Sequence, residues 1–82
     1  MAKSKFQNGD LVSVELTEHS EIPKKWAVFG QFKGSRKKVI LARIGEGEDD
    51  PRDPEVVKLT AEHVCKYIVD LYATMAMLRH HS

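Results

Sequence analysis

The spacing of the apolar residues changes once along this chain, and that change limits what it can fold into. In "GDLVSVEL" the apolar Val12, Val14 and Leu16 alternate with Ser13 and Glu15, the period of two expected of a strand with one buried face. Beyond Thr60 the period lengthens. Val64, Tyr67, Ile68, Leu71, Met75 and Leu78 recur at steps of three and four, which draws one apolar stripe along a helix. Strands gathered at the front and a single helix at the back read as an α+β domain.

Three more strands are expected between these two segments. "WAVFGQF" is rich in β-favouring residues and puts Trp26, Val28 and Phe32 on one face and Ala27, Phe29 and Gln31 on the other. "KGSRK" supplies a turn, and "KVILARI" is apolar on both faces except at Arg43, as a central strand would be. "EVVKL", Glu55 to Leu59, is a short fourth strand. The expected order is β-β-β-β-α: residues 1–9 a flexible basic lead-in, 10–59 a four-stranded curved antiparallel sheet, and 60–81 one long C-terminal helix. Thr60 is the expected N-cap, with Glu62 in the first turn and Arg79, His80 and His81 in the last, which suits the helix dipole.

Size and composition narrow the classes. A chain of 82 residues forms one domain with a small core, so the monomer is marginal. The single cysteine, Cys65, excludes a disulfide framework and the multi-cysteine zinc motifs. The helix carries more apolar surface than one small sheet needs, and the expected remedy is a two-fold homodimer through Leu71, Tyr72, Met75 and Leu78. "MAKSKFQNGD" lacks the apolar stretch of a signal peptide, and no run approaches membrane-spanning length. No membrane partner is expected, and the location is cytoplasmic, or nuclear if the source is eukaryotic.

Thirteen Lys and Arg face twelve Asp and Glu, so distribution carries the electrostatic signal. In an antiparallel meander, Lys3, Lys5, Lys33, Arg36, Lys37, Lys38, Lys58 and the helix start gather at one end of the sheet. Glu18, Glu21, Glu46, Glu48, Asp49, Asp50, Asp53 and Glu55 gather at the other, relieved by Lys24, Lys25 and Arg52. "GEGEDDPRDPE" reads as an acidic loop punctuated by Gly and Pro. It lacks the ordered acidic ladder of a calcium loop, and the adjacent His80 and His81 have no ligand partner at helical spacing, so no metal or other cofactor is expected. No nucleophile has an evident base and no phosphate loop is present, so no enzymatic activity is expected.

The stretches "WAVFGQFKG" and "VVKLTAEHVCKYI" give the chain a resemblance over about Trp26–Leu71 to the PC4 family of single-stranded-DNA-binding transcription cofactors. That resemblance implies a homodimer whose curved sheets grip single-stranded DNA, with Phe32 as a stacking aromatic and Lys33 as a phosphate-contacting lysine. Departures occur where the family carries a third-strand aromatic, here "IGEGEDD", and at the helix start, where Ala61, His63 and Val64 replace Pro, Gln and Trp. With the charges above, the expected nucleic-acid surface is Phe32, Lys33, Arg36, Lys37, Lys38, Arg43 and Lys58, for single-stranded DNA or RNA. Two other readings fit the same elements. One is a viral or plasmid-type inhibitor module that engages a host protein through acidic residues 46–55; the other is an SH3-like or OB-like barrel with an accidental likeness.

Overall fold

Residues 11–81 are described by the computed structural model. Three strands, β1 (Leu11–Glu18), β2 (Trp26–Phe32) and β3 (Val39–Ile44), form an antiparallel meander in the order β1-β2-β3. A 3-10 turn, Gly47–Asp49, follows, and the helix α1 (Pro54–His81) is the last element among the described residues. The class is α+β, with the helix after the sheet. The basic lead-in, with Lys3 and Lys5, lies outside the described residues.

The expected fourth strand is helix instead. Pro54 takes the first helical position, where its missing N–H is no loss, and the Val57 N–H donates to the Asp53 carbonyl at 3.1 Å. β-branched Val56 and Val57 disfavour helix only weakly, and Val57 is fully buried in the core. Counting back from Ile68 by three and four through Val64 and Ala61 reaches Val57, so the buried stripe extends through the segment read as a strand. Thr60 is therefore not a cap: its hydroxyl donates to the Val56 carbonyl at 2.8 Å, inside the helix.

One face of the sheet lies under α1. Val28, Ile44, Val57, Ala61 and Ile68 form the buried centre, with Val14, Leu16, Trp26, Leu41, Val64, Cys65 and Tyr72 packed around it. The pairing runs Trp26 with Ile44 and Val28 with Ala42, then slips so that Phe29 meets Ile40. This bulge turns Leu41 toward the helix side, where its side chain occupies the space that a Cβ at Gly30 would need.

At the end of the sheet nearest the helix start, two loops lock together. The Lys24 carbonyl accepts the Gly47 N–H at 3.2 Å, and the Lys24 ammonium donates to the Asp50 carbonyl at 2.7 Å. The Asp50 side chain is buried. It accepts the Arg52 Nε, Nη2 and backbone N–H at 2.9, 2.7 and 3.0 Å, and the Glu46 N–H at 3.0 Å. Those bonds, led by the Arg52 side chain, hold its carboxyl far below the usual carboxylate range. What reads as an open acidic loop is thus built around one buried, fully satisfied carboxylate.

Candidate nucleic-acid interface

Among the described residues, nothing packs over the face of the sheet away from α1. Alternation brings Thr17 from β1, Ala27 and Phe29 from β2, and Ile40 and Arg43 from β3 to this face, where with Glu18, His19, Lys25 and Trp26 they line an open hollow of about 450 Å³. Its floor is apolar: Phe29 is half-buried, and Ile40 is 42% exposed. Its rim is polar. Arg43 and Lys25 bring cations to it and Glu18 an anion. The His19 Nδ1 accepts the N–H groups of Glu21 and Ile22 at 3.1 and 3.0 Å, which orients the ring as it borders the hollow.

The tip between β2 and β3 lies at the other end of the sheet. Lys33, Arg36, Lys37 and Lys38 are all exposed there. The turn is held by local bonds: the Ser35 N–H donates to the Phe32 carbonyl at 3.0 Å, and the Gln31 amide donates to the Ser35 carbonyl at 3.0 Å. Lys38 reaches back to Glu15 on β1 at 3.1 Å, with both side chains more than half exposed. Solvent weakens such a pair.

The structure keeps some of the expected surface together and separates the rest. Lys33, Arg36, Lys37 and Lys38 share the tip, and Arg43 joins the hollow on the open face. Phe32 does not reach either. It is 8% exposed, on the helix side with Val28, and its ring meets Tyr72 edge-on, so it belongs to the core rather than to a stacking platform. Lys58 also leaves the set, because a helix starting at Pro54 carries it, and the positive end of the helix dipole, to the acidic end. Phe29, Ile40, Lys25 and His19 are the additions. Strand alternation signals Phe29, since it is the β2 aromatic on the face opposite Val28.

Of the residues expected at a self-interface, Leu71 and Leu78 are exposed, whereas Met75 and Tyr72 are half-buried. Burial pushes the Tyr72 hydroxyl pKa up. Among the described residues, no group of three or more His, Cys, Asp or Glu is placed to hold a metal ion, and no helix is long and apolar enough to cross a membrane. Comparison with protein-family models, curated proteins and solved structures finds no match.

Proposed function

We propose that this chain is a non-enzymatic single-stranded nucleic-acid-binding protein, a cofactor for transcription or DNA processing, and that the strand crosses the open face of the sheet. The observation that carries this reading is the hollow itself: an apolar floor of Phe29 and Ile40 bordered by Arg43 and Lys25 on the open face, with the exposed Lys33, Arg36 and Lys37 at the far end of the same sheet. An aromatic face takes a base of any identity, while cations beside it displace counterions from the backbone. Phe29 is the stacking residue and Arg43 and Lys25 hold phosphates at one end. Lys33, Arg36 and Lys37 hold them at the other. The resemblance of Trp26–Gly34 to the PC4 family points the same way, with Phe29 in the part that the resemblance gives to Phe32.

Titration of a labelled single-stranded oligonucleotide and its duplex at two salt concentrations tests the proposal. Single strands should bind more tightly than duplex, and affinity should fall as salt rises. Absence of single-strand binding at low salt sinks it. In that case the exposed Glu46, Glu48, Asp49 and Asp53, held on the rigid frame around Asp50, become the surface to test against a basic protein partner.

A further inference from the structure

We infer that the segment of this chain just before β1 docks on the free edge of β1, with Phe6 seated in the groove between β1 and α1. The inference rests on that edge, that groove and the sequence before Leu11, and it is independent of the nucleic-acid reading. Among the described residues β1 pairs along one edge only, with β2. Its other edge presents backbone N–H and C=O groups that an added strand would satisfy, and "LVSVELTE" carries none of the Lys or Pro that often guard such an edge. Beneath this edge, Leu11, Val14, Val69, Tyr72, Ala73 and Ala76 line an apolar groove of about 360 Å³. Ala73 and Ala76 keep it open, since their side chains end at Cβ, and Val69 is 42% exposed beside them.

The residues before β1 say what fills the groove. Asn8-Gly9 is the pair that two-residue hairpin turns favour, because both central positions of such a turn need positive φ. With that pair at the turn, Gln7 stands opposite Asp10 and Phe6 opposite Leu11, which lines the groove. Directly opposed residues share a face, so the Phe6 ring is aimed at Val69, Ala73 and Ala76. A turn this short holds the segment beside the edge at a high effective concentration, which favours it over a separate peptide.

Face and charge match along the rest of the segment. Ala2, Ser4 and Phe6 alternate with Lys3 and Lys5, one side small or apolar and the other cationic. β1 carries an extra residue at Val12, because Leu11 pairs with Phe32 and Ser13 with Gln31. Passing that bulge brings Ser4 opposite Val14 and Lys3 opposite Glu15. Val14 packs toward the helix, whereas Glu15 shares the open face with its β2 partner Phe29. Lys3 therefore meets a carboxylate across the pair, the favourable choice for opposed charges, and docking adds two cations to the open face.

Nuclear magnetic resonance of the full chain tests the inference. The Phe6 ring should show Overhauser contacts to Tyr72 and to the Ala73 and Ala76 methyls. Phe6→Ala should lower Tm by about 4 °C or more, and Phe6→Leu should recover part of the loss. Gly9→Val, which opposes the positive φ of the turn, should remove the Phe6 contacts while the resonances of β2 and β3 stay in place. Absence of the Phe6 contacts in the wild type overturns the inference, as does a Tm indifferent to Phe6→Ala. Contacts unmoved by Gly9→Val overturn the hairpin register. Contacts seen only between differently labelled copies give the groove to a neighbouring chain's segment, which also overturns the inference.

Discussion

The rings of Phe32 and Tyr72 meet at 5.6 Å between centroids with their planes 62° apart, which ties the last residue of β2 to the middle of α1. An aromatic that the sequence places beside a basic tip is thereby committed to holding the helix down. Phe32→Ala should lower stability by about 3 kcal/mol or more and show as a drop in Tm. Phe29→Ala should leave Tm nearly unchanged and weaken single-strand binding by about 1 to 3 kcal/mol. If the two variants exchange these phenotypes, the open face is not the binding face.

Asp50 gives the chain an acid sensitivity with a definite sign. Its folded pKa lies below the unfolded value of 3.8, so its contribution is complete above that value and disappears as pH falls through the folded pKa. Asp50→Asn should therefore lower Tm at neutral pH, and the gap from wild type should narrow progressively below about pH 4. A gap that is constant from pH 7 to strongly acidic solution would mean that the carboxylate charge contributes nothing.

Gly34 and Gly45 share a left-handed backbone, with φ of 87° and 89°, and should nevertheless respond differently to alanine. A side chain at Gly34 meets nothing, so Gly34→Ala should cost about 1 kcal/mol of backbone strain. One at Gly45 would fall against the Lys24 carbonyl oxygen, forcing backbone apart as well. Urea melts of the two variants should separate clearly, with Gly45→Ala the weaker.

Lys37 and Lys38 are neighbours with different prior engagements, since only Lys38 is paired with Glu15. Lys37→Ala should make the logarithmic salt dependence of single-strand binding shallower by about 0.7, the share of one neutralised phosphate. Glu15→Gln should strengthen binding by releasing Lys38 and removing an anion from the open face. Weaker binding by Glu15→Gln would place the nucleic acid elsewhere.

The three strands and the open and covered faces of β2 are legible in the sequence because period-two alternation survives wherever one face is buried, as at Val28 and Phe29. The start of α1 is harder to see. "EVVKL" is five residues long, too short for strand and helix periods to separate, and its valines favour strand locally while Val57 is claimed by the core. Phe32 reads as a site residue because the family resemblance gives it the stacking role and it stands beside the basic tip in sequence, although β2 alternation already sets it with Val28 on the face that the helix covers. Asp50 carries no signal that distinguishes it from Asp49: Arg52 stands within reach of either in the same loop, and the Lys24 bond to the Asp50 carbonyl exists only because two loops dock.

The docking of those loops through Lys24 bears on how amide protons would exchange. The β1–β2 connection cannot open without breaking the Gly47 N–H bond to Lys24 and the Lys24 bond to Asp50, so it shares its opening with the segment that leads into α1. Protection at Gly47 and Asp50 should rise and fall together with protection in β1 and β2, as one cooperative unit. Among the described residues the backbone of the tip at 33–38 makes only local bonds, its one longer reach being the solvent-exposed Lys38–Glu15 pair, so it should exchange first. The molecule breathes from one end.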